Sequence, residues 1–383
     1  MRMKVPRYNY RSQFGENSEV LFTEIREMLL AGQYILTDHV ARFEREFGDY
    51  LGVRHVHGVN SGTDALLIAL QAVGVKPGDE VVTQANTFYA TVAAIRLSGA
   101  TPVLVDADED SFLIDQTQVA GAITERTRVI LPVHLYGKPT PMRTLSALAA
   151  RHGLRIVEDA AQAHGACMED RMAGSFGDAA CFSFHPSKNL AAAGDGGAIS
   201  TNSDEIAKRI CLLRELGQHG QNNHVVLGFN SKLDAIQARV LSWKLPQLEA
   251  WNQRRSSIAA MYRDGLRELP IRFQSMTPGE KHAYHLFQIR TGERDALVAH
   301  LQQSGIDAVI RYPSPIHLQE AFADCNWRRG QFPVAERLAK ELMCLPIRPD
   351  MSAAEVEYVC EQVALFFKRQ SARLHQLESA APV

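Results

Sequence analysis

The sequence has few cysteines, and their arrangement suggests neither a metal site nor a disulfide framework. Six cysteines are scattered between Cys167 and Cys360 in a chain of 383 residues, and no two of them form a C-x-x-C pair. His164, His185 and His317 are also too far apart in sequence to show the spacing of metal ligands. We therefore predict no metal site, and we expect reduced thiols.

Long apolar runs and basic clusters are missing as well. No stretch approaches 18 uncharged apolar residues, and the charged residues 1–8 are not followed by the apolar segment of a signal peptide. The formal net charge is -2, without the concentration of lysine and arginine that nucleic-acid binding requires. The sequence predicts a cytoplasmic protein whose partners are small molecules, with no nucleic acid and no membrane among them.

From about residue 53 to residue 199, short apolar runs alternate with helical patterns. The runs at 54–59, 80–83, 102–105, 128–133 and 155–158 are bounded by turn residues, and the helical patterns include 64–73, 89–97 and 142–151. Continuous apolar runs of this length are typical of buried parallel strands. The pattern predicts an α/β domain.

Longer helical patterns follow at 204–216, 233–245 and 249–266, with a loop rich in Gly, Asn and His at 217–230. We place a boundary near residue 250, between a large domain (1–250, including the N-terminal segment) and a small C-terminal α+β domain (251–383). The second domain contains predicted strands at 285–290 and near Ala308, and predicted helices at 293–304, 335–343 and 353–370. We expect the tail at 379–383 to be disordered.

Lys188 lies between an apolar strand and a run of alanines and glycines, an unusual place for a lysine, which is commonly a solvated surface charge. Burial lowers the pKa of an amine and makes it a nucleophile towards carbonyls. Asp159 follows the apolar run 155–158 at the edge of the sheet where α/β proteins bind ligands; capping of a helix is the alternative interpretation. A lysine and a carboxylate together favour pyridoxal phosphate (PLP) chemistry, because the carboxylate keeps the pyridine nitrogen of the cofactor protonated.

Other residues near these two suit the same cofactor. The segment 60–64, Asn-Ser-Gly-Thr-Asp, follows a strand and opens a helix, so its amides and hydroxyls favour a phosphate; capping by Ser61 or Thr63 is an equally good interpretation. Ser183 would contact the same phosphate. Gln162 is suited to bind the hydroxyl of the cofactor ring, and a position at the protein surface is the alternative. Phe88 is suited to stack on the cofactor ring, and packing in the core is the alternative.

Four blocks in order resemble the DegT-type sugar aminotransferases: SGTDA at 61–65, EDAAQAHG at 158–165, FSFHPSKN at 182–189 and GFNSKLDAIQ at 228–237. The resemblance covers nearly the whole chain. It implies a fold-type I PLP-dependent transferase, with a large domain built on a mostly parallel central sheet flanked by helices and a smaller C-terminal α+β domain. It also implies a homodimer with shared active sites.

The resemblance further implies a role for each motif residue. Lys188 binds the cofactor as a Schiff base, and Asp159 pairs with the pyridine nitrogen. The remaining contacts with the cofactor are implied for Gln162 at the ring hydroxyl, Phe88 on the ring face, Gly62, Thr63 and Ser183 at the phosphate, and Asn230 at the phosphate of the partner subunit's site.

The segment 311–319, RYPSPIHLQ, is similar to the substrate-side loop of enzymes that act on nucleotide-linked 3-keto sugars; a rigid proline-rich connection is the alternative. The resemblance implies substrate contacts for His185, Arg311, Tyr312 and His317. We predict amino transfer, with L-glutamate as donor, to a nucleotide-linked keto sugar, with a 3-keto-6-deoxy sugar as the best candidate. The alternatives are a 4-keto sugar or keto-cyclitol aminotransferase, and a non-catalytic regulatory protein with the PLP fold. Lys188 favours transamination, because related dehydratases have histidine there.

Overall fold

A computed structural model describes residues 3–15 and 17–379, with side chains described up to residue 372. Of the tail expected to be disordered, Ser379 ends the last helix, and residues 380–383 lie outside the described part. None of the helices described is both long and apolar enough to cross a membrane.

The strands are short, and most of them lie in the first half of the chain. They are β1 (His55–Val59), β2 (Glu80–Gln84), β3 (Thr101–Val105), β4 (Thr127–Leu131), β5 (Arg155–Asp159), β6 (Cys167–Met168), β7 (Arg171–Met172), β8 (Ala179–Ser183), β9 (Gly197–Thr201), β10 (Arg272–Phe273), β11 (Glu280–Lys281), β12 (Phe287–Arg290) and β13 (Leu342–Leu345).

The α-helices connect and flank these strands. They are α1 (Ser18–Leu30), α2 (Asp38–Leu51), α3 (Gly62–Ala72), α4 (Tyr89–Leu97), α5 (Gln116–Ala122), α6 (Met142–His152), α7 (Asp204–Arg214), α8 (Ala235–Lys244), α9 (Leu248–Leu266), α10 (Arg294–Gln303), α11 (Pro333–Glu341) and α12 (Ala353–Ser379). Gly52 and Gly153 follow α2 and α6 in the left-handed conformation that commonly ends a helix.

The central sheet has seven strands in the order β1-β9-β8-β5-β4-β2-β3. Only β9 runs against its two neighbours, so the sheet is mostly parallel, as predicted. The parallel pairing expected for the run 54–59 is wrong, because β1 pairs with the reversed strand β9.

Helices pack on both faces of this sheet. Successive residues of a strand point to opposite faces. In β8, Cys181 packs in one apolar cluster with α3 and α7, while Phe182 packs in another with α2 and α8. Helices therefore cover both faces of the sheet, and the predicted α/β fold is confirmed.

A second sheet, β10-β12-β13, is antiparallel and packs with α9, α10 and α12 around its own apolar cluster. The strand expected near Ala308 is not formed, since Val309 makes only an isolated bridge to Cys344. The helix expected at 335–343 ends at Glu341, and the chain continues as β13. All four residues of β13 are buried, and such a run has no alternation to distinguish it from a buried helix. The division into domains near residue 250 stays a prediction, because α9 runs through that position.

Candidate active site

A cavity of about 360 Å³ opens where β5 and β8 end and α3 begins. The parallel pairing of β5 with β8 sets Asp159 beside Cys181, two residues before β8 ends. The cavity lining includes every predicted site residue except Asn230 and His317: Gly62, Thr63, Phe88, Asp159, Gln162, Ser183, His185, Lys188, Arg311 and Tyr312. Segments that are up to 250 positions apart in sequence thus meet at one edge of the sheet.

Lys188 lies in the turn that follows β8, where its amide donates to the carbonyl of His185 at 2.8 Å. Burial lowers the pKa of the Lys188 amine to about 8; the negative charge of Asp159 opposes this shift, and the positive charge of Arg311 adds to it. A substantial fraction of the amine is therefore neutral near pH 8, and the neutral amine is the form that attacks an aldehyde.

Asp159 is a buried carboxylate at the end of β5. Thr91 Oγ1 donates to its Oδ2 at 2.8 Å, and the amide of Ala161 donates to its Oδ1 at 3.2 Å. Burial raises the pKa of Asp159, while these two hydrogen bonds and the charge of Lys188 oppose the rise. The group is positioned to stabilise a positive charge in the cavity.

The preceding residue, Glu158, anchors this strand end. Its two carboxylate oxygens accept hydrogen bonds from the amides of Gly174, Phe176 and Gly177, at 2.7 to 2.9 Å. His134 accepts from the amide of Thr140 at Nδ1, so its Nε2 carries the proton that it donates to Glu158 at 2.8 Å. The buried charge of Glu158 is fully hydrogen-bonded, and it fixes the chain from which Asp159 projects.

The N-terminus of α3 faces the cavity next to Ser183. Ser61 caps the helix, since its Oγ accepts from the amide of Asp64 at 3.1 Å, so the capping interpretation is correct and Ser61 also lines the cavity. The amides of Gly62 and Thr63 have no partner among the described residues, as expected for the first turn of a helix. A Cβ added at Gly62 would lie 2.6 Å from the Cβ of Ser183. Gly62 therefore packs directly against Ser183, and this close packing brings the amides at the start of α3 and the Ser183 hydroxyl together at the cavity lining, a group of donors that suits an anion.

Gln162 is buried, which excludes the surface interpretation, and both ends of its amide are bound. Its Oε1 accepts from the amide of Tyr136 at 2.8 Å, and its Nε2 donates to the hydroxyl of Tyr312 at 2.8 Å. Phe88 is 48% exposed and is thus not a core residue. Its ring centroid lies 5.9 Å from that of Tyr312. These side chains form one wall of the cavity.

Asn230 and His317 lie away from this lining. Asn230 is exposed; its carbonyl accepts from Asn60 at 2.9 Å, and its side-chain oxygen accepts from Lys232 at 2.6 Å. His317 is buried, with its Nε2 3.0 Å from a carboxylate oxygen of Glu336. Their predicted roles stay predictions.

The cavity also contains residues that sequence reasoning missed: Leu66, Ala90, Ala161, Ser187, Asp195, His285 and Leu286. His285 is the most informative of them, because its buried Nδ1 has no hydrogen-bond partner among the residues described. Burial, with a smaller contribution from the charge of Lys188, lowers the pKa of His285 well below its ordinary value. The cavity thus offers a neutral imidazole. The sequence around His285 does not indicate that this residue lines the cavity. His285 lies just before β12, and β12 belongs to a different sheet from β5 and β8.

The residues around the cavity fit PLP as a cofactor. Lys188 supplies an amine for the aldehyde, Asp159 supplies a buried carboxylate for the ring nitrogen, and the start of α3 with Ser183 supplies donors for the phosphate. When bound, PLP withdraws electrons from a bond at the substrate carbon. No group of histidine, cysteine, aspartate or glutamate side chains that could hold a metal ion occurs in the described part of the chain.

Residues 16–364 match the DegT/DnrJ/EryC1/StrS aminotransferase family. A protein of Geobacillus stearothermophilus named "Pleiotropic regulatory protein" is 42% identical over 370 residues, which cover 96% of this chain and 99% of the relative. The dTDP-3-amino-3,4,6-trideoxy-alpha-D-glucose transaminase of Streptomyces venezuelae is 42% identical over 367 residues, covering 96% and 97%.

A solved structure agrees with these relatives. The crystal structure of S. venezuelae DesV in complex with a ketimine intermediate superimposes with a TM-score of 0.92 and 42% identity, covering 95% of this chain and 98% of that one. The resemblance seen in the four sequence blocks is therefore confirmed, together with the predicted fold and cofactor. The chain belongs to the DegT/DnrJ/EryC1/StrS aminotransferase family and is a PLP-dependent sugar aminotransferase.

Proposed function

We propose that the protein transfers an amino group from L-glutamate to the keto carbon of a nucleotide-linked 3-keto sugar, with a 3-keto-6-deoxy sugar as the best candidate, in the cytoplasm. The observation that carries this proposal is the meeting of Lys188 and Asp159 with Arg311 and Tyr312 in one cavity. The choice of carbon 3 is supported by the S. venezuelae relative, which is named for a 3-amino product.

In this proposal, Lys188 is the group that moves protons. With a pKa of about 8, its amine is able both to take a proton from the carbon of the amino donor and to return one to the carbon of the sugar. Asp159 holds the proton on the ring nitrogen while this happens. Gly62, Thr63 and Ser183 bind the phosphate, Gln162 the ring hydroxyl, and Phe88 the ring face.

Arg311 is our candidate for binding the negative charge of the substrates. It lines the cavity, and its Nη2 donates to the hydroxyl of Tyr8 at 3.1 Å, but no described carboxylate forms an ion pair with it. An uncompensated guanidinium fits a carboxylate of glutamate or the diphosphate of a nucleotide. Tyr312 and His185 line the same cavity, and the contact of His317 with Glu336 supports the loop that carries Arg311.

We also propose a homodimer in which Asn230 of one chain reaches the phosphate in the site of the other. The loop that precedes Asn230 exposes Val225, Val226 and Leu227, and Leu227 is 95% exposed. Adjacent apolar side chains on a surface commonly mark a protein interface. This exposure supports a partner chain at the loop.

The test loads the protein with pyridoxamine phosphate and adds nucleotide-linked 3-keto or 4-keto sugars in turn. Return of the pyridoxal absorbance with a 3-keto sugar supports the proposal. Return with only 4-keto sugars or keto-cyclitols supports those alternatives. No return with any ketone, despite bound cofactor, would contradict the proposal; the G. stearothermophilus relative carries the name of a regulatory protein.

A further inference from the structure

Two buried threonines form a chain of hydrogen bonds that ends on Asp159. The Oγ1 atoms of Thr87 and Thr91 are 2.9 Å apart, and Thr91 Oγ1 is 2.8 Å from Asp159 Oδ2. Thr87 is 3% exposed and Thr91 is fully buried. The predicted roles along the cavity leave both threonines unused.

The direction of these hydrogen bonds follows from the number of protons. An ionised carboxylate only accepts, and each hydroxyl has one proton to donate. Thr91 must therefore donate to Asp159, and Thr87 must donate to Thr91. The chain is directed towards the carboxylate, and it favours the charged form of that group over the neutral form.

The backbone makes this arrangement specific. Thr91 lies in the first turn of α4, where its amide donates to the carbonyl of Phe88 at 3.2 Å, and Phe88 lines the cavity. Thr87 lies four residues before Thr91. The start of α4 thus places the ring of Phe88 at the cavity and the hydroxyl of Thr91 against the carboxylate of Asp159.

Asp159 needs such a donor because of its surroundings. Its burial favours the neutral acid, and Thr91 is the largest of the influences that oppose this effect. A hydrogen bond to a charged group is stronger than one between neutral groups. Without the hydroxyl, Asp159 would become a stronger base and would compete with the cofactor for the shared proton.

We propose that Thr91, oriented by Thr87, is a positioning residue that keeps Asp159 ionised and turned to the cavity, so that the proton stays on the pyridine nitrogen of bound PLP. This inference rests on the role proposed for Asp159. Thr91 itself acts only through that carboxylate.

The test reconstitutes the protein with PLP carrying ¹⁵N at the pyridine nitrogen and records the ¹⁵N chemical shift together with kcat and KM. Thr91→Val keeps the shape of the side chain and removes the hydroxyl. We expect its ¹⁵N signal to move towards the deprotonated value and kcat to fall about 10- to 100-fold, the loss that one hydrogen bond to a charged group implies, with little change in KM. Thr91→Ser should restore both values to within a few-fold of the original.

Thr83→Val is the matched control. Thr83 is equally buried, but its hydroxyl donates to the carbonyl of Leu131 at 2.7 Å, so its removal should leave the ¹⁵N signal unchanged. If Thr91→Val does not fold, Thr87→Val provides the test, because it removes the donor that orients Thr91; a smaller shift in the same direction is expected.

An unchanged ¹⁵N signal in the folded threonine variant overturns the inference. Asp159→Asn separates this outcome from failure of the proposed function. If Asp159→Asn moves the signal and the threonine variant does not, only the role of Thr91 is wrong. If Asp159→Asn also leaves the signal unchanged, the role proposed for Asp159 is wrong.

Discussion

Gln162 and Tyr312 are 150 positions apart in sequence, and the amide of one donates to the hydroxyl of the other at 2.8 Å. Gln162 belongs to the segment after β5 that carries Asp159, whereas Tyr312 belongs to the loop that we assign to the substrate. Tyr312 adopts a left-handed backbone conformation, with φ of 57°, which is uncommon for a bulky residue. This hydrogen bond joins the side of the cavity that fits the cofactor to the side that fits the sugar.

Tyr312→Phe should therefore affect both sides. The change removes the hydroxyl that accepts the hydrogen bond from Gln162 Nε2. The loss of a neutral hydrogen bond costs about 0.5 to 1.5 kcal/mol. We expect kcat/KM for the sugar to fall up to about tenfold, with a smaller loss of PLP affinity. Steady-state kinetics and a PLP titration measure the two effects; unchanged values for both would show that the hydrogen bond is dispensable.

Gly62→Ala tests the proposed phosphate site. The new Cβ would lie 2.6 Å from the Cβ of Ser183, so the groups around the phosphate must move apart. We expect PLP affinity to fall by about tenfold or more, equivalent to at least ~1.4 kcal/mol, while the protein stays folded. Gly121→Ala is the control, because Gly121 lies in α5 with nothing within 4 Å of an added Cβ. Equal PLP affinity in the two variants would argue against a phosphate at this position.

The reactivity of the apoprotein towards PLP should depend on pH in a defined direction. The Lys188 pKa of about 8 lies below the ordinary lysine value of 10.5, so the amine loses its proton earlier as pH rises. Below pH 8 the neutral fraction grows about tenfold per pH unit. The rate of covalent capture by Lys188 should therefore rise from pH 6 to about 8 and level off above it. A rise that continued to pH 10, or borohydride trapping of the label on another lysine, would contradict this account.

The sequence predicted the cofactor side of the cavity better than the substrate side. Asp159, Ser183 and Lys188 lie at or just after the ends of two apolar strands that are neighbours in the central sheet, and parallel pairing brings such ends together at one edge. His285 was missed because it enters the cavity from a segment that precedes β12 in a different sheet. Local pattern does not determine how such distant segments pack.

The positions of Asn230 and His317 illustrate the same limit. Both lie in motifs that resemble the family, yet the fold of one chain places Asn230 at an exposed position and His317 against Glu336. If Asn230 acts in the site of a partner subunit, as proposed, the fold of one chain does not bring it next to the atoms that it serves. Its motif is therefore the main evidence for that role.

Mixing two defective variants tests the shared site. If Asn230 serves the site of the partner subunit, a heterodimer of Lys188→Ala and Asn230→Ala chains has one site with both defects and one with neither. Activity should then appear after subunit exchange, above that of either parent. Confirmed heterodimers without such recovery would place Lys188 and Asn230 in the same site of one chain.

The most direct test of the central claim follows the nitrogen atom. The protein is incubated with PLP, ¹⁵N-labelled L-glutamate and a nucleotide-linked 3-keto sugar, and the sugar product is analysed by mass spectrometry. The account predicts an amino sugar that carries ¹⁵N, formed together with 2-oxoglutarate, and no such product from Lys188→Ala. If the sugar gained no nitrogen while PLP remained bound, or if Lys188→Ala formed labelled product at the same rate, the account would be wrong.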